Sequence, residues 1–223
     1  MLLHEGHRTA REFFTPANAA SYDAVARYAT FGQDKKWKRR IVDMVRSCSS
    51  ILELASGTGI LSAMLGNSGK NVVGLDLTFD YLAASKARTG LKVALATAEA
   101  LPYRGEYFDA VVSCYLAKYV EITTVAQECR RILRPGGIVV FHDFTYPANP
   151  VMRVLWKSYF RVLRLCGIFA PTWSTVFSRL DSFIENSQWE NKTIKALEQC
   201  GFRAIRIEYL TAGTAAIIAA EKP

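Results

Sequence analysis

From Ile51 onward, short apolar runs alternate with stretches whose apolar residues recur every three or four positions. The runs "SILEL", "NVVGLD", "LKVALAT", "FDAVVSCY" and "GGIVVFHDF" read as strands, followed later by "FRAIRIEY" and "TAAIIAA". Helices are expected around Leu61–Leu65, Tyr81–Arg88, Val125–Leu133 and Thr193–Cys200. This alternation predicts parallel β-α units in a doubly wound α/β sheet. The near-continuous Val, Ile and Leu of the strands suits a sheet covered on both faces. Only "LTAG" links the last two runs. A parallel crossover needs a dozen residues or more, so these two strands should pair antiparallel.

Two segments stand outside the alternation. Residues 1–50 read as helical and precede the first strand. Residues 147–190 interrupt the sheet between two strands. The expected division is a single domain, 1–223. It comprises an N-terminal helical cap (1–50), a cofactor-binding core (51–146), a helical lid insertion (147–190) and a C-terminal helix and strand pair (191–223). In open α/β sheets a ligand lies beyond the carboxyl ends of the strands, where such extra segments can cover it. The insertion opens with Asn149 as a cap and Pro150 in the first turn, and Gly167 can close the helix, with Pro171 beyond. Within it Arg153, Lys157, Arg161 and Arg164 share one helical face, and apolar and aromatic residues fill most of the rest. Such a helix can lie in an anionic membrane interface. The bland reading is a lid helix with a solvated basic face.

Charge and cysteine content narrow the class. The 223 residues carry a net charge of +8, which favours acidic partners. The five cysteines are odd in number and widely spaced, without the close pairs of a zinc or redox site, and no metal site is expected. The first residues, "MLLHEGHRTAREFF", lack a signal-peptide core, and no apolar run is long enough to span a membrane. The expected location is cytoplasmic, with room for a peripheral position at the inner face of a membrane.

The stretch "ILELASGTGIL" carries the chemistry. Gly57 and Gly59 permit a tight turn and close approach of a ligand to the backbone. The helix that follows offers free N–H groups to an anion. The series Gly57, Gly59, Ser62 is a poor dinucleotide fingerprint. Glu53, ahead of the glycines, would repel a pyrophosphate and suits a ligand with a positive amino group. Asp76 ends the second strand, where an acid can accept hydrogen bonds from ribose hydroxyls. Thr97 and Ala98 follow the third strand, at the position of an adenine contact. Ser113, Tyr115 and Lys118 follow the fourth, at the same edge.

In order, "ELASGTG", "GLD", "TAEALPY", "YFDAVVS" and "RILRPGG" resemble the motifs of class I S-adenosylmethionine-dependent methyltransferases. "YDAVARYATFGQDKKW", "RILRPGGIVVFHDFT", Gly201-Phe202 and the terminal "LTAG" with "KP" narrow the resemblance to the ubiquinone/menaquinone biosynthesis C-methyltransferases, from about Ala20 to Pro223. The resemblance implies a Rossmann-like, seven-stranded sheet with its last strand antiparallel. It implies that Thr58, Asp76, Thr97, Ala98 and Ser113 contact S-adenosyl-L-methionine, with Glu53, Gly57 and Gly59 in the same site. Departures fall mostly on the acceptor side. Lys118 and Tyr119 stand where the family favours Arg-Asn, Ala26 where it has Asn, Asp34 where it has His, and Thr97 where it has Asn or Asp.

The expected reaction is C-methylation of a demethylated prenyl quinol. Most of the acceleration in such a displacement comes from placing the acceptor atom behind the methyl carbon. An electron-rich ring is also needed, so a phenolic proton must leave. His142, Lys118 and Tyr115 are the expected catalytic residues. His142 would be the base and Lys118 an electrostatic stabiliser, and Tyr22 and Asp143 lie at the same edge. The competing readings are N- or O-methylation of a phospholipid or another small molecule, an NAD-dependent oxidoreductase, and a non-enzymatic basic binding module. The last explains the charge but not the ordered loops, and nucleic acid is not an expected partner. A homo-oligomer is compatible with the sequence.

Overall fold

The computed structural model describes residues 5–223, so Met1 to His4 of the expected N-terminal cap lie outside the described residues. Among the described residues, four helices precede the sheet: α1 (Glu5–Phe13), α2 (Pro16–Ala19), α3 (Tyr22–Ala29) and α4 (Gln33–Met44). The alternating part follows as β1 (Ser50–Leu54), α5 (Ile60–Gly66), β2 (Asn71–Asp76), α6 (Phe79–Thr89), β3 (Lys92–Leu95), β4 (Phe108–Cys114), α7 (Ile122–Ile132) and β5 (Leu133–Phe144). The insertion forms α8 (Pro150–Cys166) and α9 (Ser174–Ser187). The chain ends with α10 (Trp189–Gln199), β6 (Arg203–Leu210) and β7 (Ala215–Glu221).

All seven strands form one sheet in the order β3-β2-β1-β4-β5-β7-β6. The first five pair in parallel, and β7 runs antiparallel to both β5 and β6. This is the expected fold, and the short β6–β7 link closes as a 3-10 turn over Thr211–Gly213.

Both faces of the sheet are buried, which explains the lack of polar alternation in the strands. On one face Leu52, Leu54 and Val111 pack with Val125, Trp189 and Leu197 of α7 and α10. On the other, Ile51, Val112 and Val140 pack with Ile41 of α4 and with Leu61 and Leu65 of α5. A third cluster joins Phe13 of α1, Tyr119 and the insertion residues Trp173, Val176 and Phe177.

Three local expectations differ from the structure. β5 begins at Leu133, not Gly136, because Leu133 pairs with Phe108 before a register shift takes up the "RPGG" segment. Gly136 sits there at φ +74, a conformation closed to most side chains. The insertion holds a second long helix, α9, that periodicity did not single out. Gly167 does close α8 as its C-cap, but in right-handed rather than left-handed geometry, at φ −57. What it offers is space rather than φ: a Cβ there would lie 3.1 Å from the Arg164 carbonyl oxygen and 3.2 Å from the Ser174 Cα, so the neighbours would have to give by a few tenths of an ångström. Asn149 does cap α8, accepting from the Val151 and Met152 N–H groups.

Candidate functional site

The turn after β1 is strongly bent. Ala55, Gly57 and Gly59 have φ of +52, +54 and +79. Gly59 is doubly constrained, because a Cβ would lie 2.5 Å from Ser85 Oγ of α6. Asp76, at the carboxyl end of β2, braces this turn. Its Oδ2 accepts the Gly57 N–H at 2.8 Å and its Oδ1 accepts the Thr78 N–H at 2.9 Å. Burial raises the Asp76 pKa, and these N–H donors oppose the rise.

A cavity opens beyond this edge, with about 820 Å³ of empty space counted to its open mouth. Gly57 and Asp76 form its inner end, Thr97, Ala98 and Glu99 one wall, and His7, Ala10 and Arg11 of α1 its cover. His7 Nε2 meets Glu99 Oε1 at 2.5 Å, tying α1 to the loop after β3. Glu99 Oε2 is buried without a hydrogen-bond partner among the described residues. Gly6 is why α1 lies so close, since a Cβ there would collide with the Tyr119 backbone. A spare carboxylate oxygen and the Asp76 carboxyl on these walls suit a ligand rich in hydroxyl and amino donors.

Four of the eight residues expected to contact the cofactor border this cavity: Gly57, Asp76, Thr97 and Ala98. Glu53, Thr58, Gly59 and Ser113 lie behind it, all nearly inaccessible. Glu53 points to the α5 side and accepts from the Ser62 hydroxyl. Burial pushes its pKa up to about 8, only partly offset by that bond. The Thr58 hydroxyl donates to Asp23 Oδ1 at 2.6 Å. Ser113 Oγ has no partner among the described residues.

A second cavity adjoins the first. Phe14, Tyr22, Tyr115 and Tyr119 line both and form the partition between them. The rest of the second cavity is walled by residues of α3, α8 and α9, including Val25, Ala29, Trp156, Phe160 and Leu180. Among the described residues, Lys118 is the one charged side chain in its lining. The Lys118 ammonium pairs with Asp143, both side chains being almost wholly buried, and lies 4.6 Å above the Tyr119 ring. Burial lowers the Lys118 pKa, and Asp143 only partly restores it.

Tyr115 sits at the centre of the partition at φ +63, an uncommon conformation for a bulky residue. Its N–H donates to the His142 carbonyl at 2.7 Å, and its hydroxyl donates to Asp34 Oδ1 at 2.7 Å. Asp34 and Lys38 form a buried ion pair one turn apart on α4. Burial works against the Lys38 ammonium, but Asp34, together with Cys114 and Glu53, holds the pKa above its ordinary value. Burial, then Asp34, raises the Tyr115 pKa well above 10, so the phenol stays protonated.

His142 borders neither cavity. It is buried between Trp37 and Tyr115, at ring distances of 5.3 and 5.1 Å. Neither ring nitrogen has a hydrogen-bond partner among the described residues. Burial, then Lys38 and Lys118, hold its pKa well below 6.5, so it is neutral. The structure thus gathers Tyr115 and Lys118 at the second cavity and leaves His142 behind Tyr115.

Asp34 and Lys38 were not singled out as site residues. Their spacing of four was visible, but they sit among the charges of "QDKKWKRR", and nothing local marks Asp34, Trp37 and Lys38 as the buried members of that run. The basic face of α8 also changes meaning. Arg153 and Lys157 pair with Glu185, and Arg164 pairs with Asp181, both acids lying on α9.

The model of the ubiE/COQ5 methyltransferase family matches residues 6–222. A demethylmenaquinone methyltransferase of Thermus thermophilus is 32% identical over 216 residues, covering 92% of this chain and 98% of that protein. A ubiquinone/menaquinone biosynthesis C-methyltransferase of Syntrophotalea carbinolica is 30% identical, covering 87% of this chain and 86% of that one. Among solved structures, a methyltransferase of Thermotoga maritima is similar in fold, with a TM-score of 0.69 at 15% identity, covering 96% and 100% of the two chains.

Proposed function

Because this chain belongs to the ubiE/COQ5 methyltransferase family, we propose that its methyl acceptor is a demethylated prenyl quinol, methylated at a ring carbon. The chain is an S-adenosylmethionine-dependent methyltransferase. The observation that carries the acceptor reading is the aromatic cavity sharing the Phe14–Tyr22–Tyr115–Tyr119 partition with the donor cavity. A flat apolar ring fits such walls, and the two reactants then meet across one layer of side chains.

In this reading the cofactor supplies an electrophilic methyl group on sulfur. Asp76 would take the ribose hydroxyls, Thr97 and Ala98 would flank the adenine, and the turn at Gly57–Gly59 would receive the carboxylate end. Glu53, Thr58 and Ser113 would support the turn from behind. The N-terminal helices and the insertion would act as a lid that excludes water from both cavities.

Methylation of a quinol ring carbon requires a hydroxyl proton to leave, so that the ring's electron pair can form the new C–C bond as the S–C bond breaks. The ring hydrogen then departs as a proton. Tyr115 cannot act as a phenolate, since it remains protonated. It can pass a proton, accepting one from the acceptor at its oxygen while giving its own to Asp34. Lys118 places an ammonium beside the developing phenolate. His142 then serves as packing beneath Tyr115 rather than as the base.

The test supplies labelled methyl donor with a reduced demethylmenaquinone analogue and, separately, with phosphatidylethanolamine. Transfer to the quinol ring is expected. Transfer to the lipid amine alone would overturn the acceptor assignment.

A further inference from the structure

Neither cavity accounts for the outer surface of α8. Its residues fall into three stripes. Trp156, Tyr159, Phe160 and Leu163 face inward and line the acceptor cavity. Arg153, Lys157 and Arg164 form a second stripe, ion-paired with Glu185 and Asp181 of α9 at 3.0 to 3.3 Å. Val151, Val154, Leu155, Val162 and Leu165 form the third, each more than half exposed. Their spacing puts them on one side of the helix, and Phe169, 90% exposed, continues the stripe just beyond its end. The surface that faces outward is therefore apolar, and its neighbouring cations are mostly consumed within the fold. Contiguous apolar patches of this kind mark interaction sites.

The patch is continuous with the acceptor cavity. Phe31, 78% exposed, lies 5.7 Å from the Tyr159 ring. Tyr159, Ala29 and Thr30 are cavity wall, and the Tyr159 hydroxyl donates to the Ala29 carbonyl, closing the seam between α3 and α8. Four exposed cations flank this patch in sequence: Arg27, Lys35, Lys36 and Arg161. None has an acidic partner among the described residues. The nearby acids are engaged: Asp34 with Lys38, and Asp181 and Glu185 with α8.

We propose that this surface docks on the anionic face of a phospholipid bilayer. The α8 stripe and Phe31 lie in the interface, and the α3–α8 seam faces the lipid. An apolar stripe among unpaired cations is the chemistry such an interface rewards. A second copy of this chain fits poorly, since a two-fold contact would set those cations, in a chain of net charge +8, against themselves. Resting on the acceptor reading above, the seam is also where the prenyl part of the quinol passes between bilayer and cavity.

The test is co-sedimentation of the whole chain with vesicles of phosphatidylglycerol and phosphatidylcholine, and with phosphatidylcholine alone. Binding to the anionic vesicles is expected, with weaker binding to the neutral ones. The double variant Leu155→Glu/Val162→Glu should lower vesicle binding by about tenfold or more, because two charges enter the interface. Its melting temperature and its turnover of a short-chain soluble quinol analogue should stay unchanged, while KM rises for a long-prenyl acceptor held in vesicles. Lys35→Glu/Lys36→Glu should remove the preference for anionic lipid. A native chain that sediments with neither vesicle, or a Leu155→Glu/Val162→Glu variant that binds as well as the native chain, would overturn the proposal. So would a native dimer, formed without lipid, that this variant dissociates. Vesicle binding needs no acceptor, so failure to methylate a quinol would sink the acceptor assignment alone.

Discussion

From the partition between the two cavities, the Tyr115 hydroxyl donates to Asp34 Oδ1 of α4 at 2.7 Å, and the same oxygen pairs with Lys38. The phenol is thereby wired to a buried carboxylate. Tyr115→Phe keeps the ring and removes the proton path. It should lower kcat by about 10²- to 10⁴-fold, the usual range for a lost proton-transfer group. The affinity for S-adenosylhomocysteine should change little. Unaltered kcat at saturating donor would remove the relay from the reaction.

Asp76 braces the glycine turn and borders the donor cavity. Asp76→Ala should weaken S-adenosylhomocysteine binding by about 1–3 kcal/mol, since charge-assisted hydrogen bonds are lost. Calorimetry measures this directly, and equal affinity would take Asp76 out of the site.

Glu53 has a definite pH consequence. Its pKa in the fold is about 8, against 4.5 for an ordinary glutamate. Between those values the native protein holds a proton that the unfolded chain has lost. Stability of the ligand-free protein should therefore fall as pH rises from the lower value to the upper one, then level off. Glu53→Gln should flatten that slope in chemical denaturation across this window.

Lys118 and Asp143 are both buried, with side-chain exposures of 1% and 0%. Lys118→Met leaves the Asp143 carboxylate uncompensated and should cost about 3–5 kcal/mol of stability. The paired change Lys118→Met/Asp143→Leu should recover most of that loss in urea unfolding while activity stays low. Recovery of full activity would mean that Lys118 has no part in the acceptor site.

Legibility followed sequence distance. The sheet, its antiparallel end and the Gly57–Asp76 turn were readable because each depends on short-range patterns: continuous apolar strands, a link too short for a crossover, glycines beside a strand end. The acceptor cavity was not. Its walls come from α3, α8 and α9, and its key contact joins Asp34 to Tyr115 across 81 positions. The reading of α8 was half visible. Its cations share a face, as the spacing implied, but the acids that neutralise three of them sit on α9, which periodicity had not marked as a helix. Lys38 shows the same limit. A charge in a run of charges reads as solvated until a partner such as Asp34 is seen to bury with it.

Gly6 gives the smallest residue in α1 an outsized leverage. The helix that roofs the donor cavity rests on the Tyr119 backbone with no room for a single methyl group. Tyr119 belongs in turn to the partition. A side chain at position 6 would therefore act as a wedge, lifting the roof from its hinge while leaving the seven strands undisturbed. With the methyl donor in this cavity, as proposed, the closeness of its roof is set partly by an absence: a hydrogen where any other residue would carry carbon.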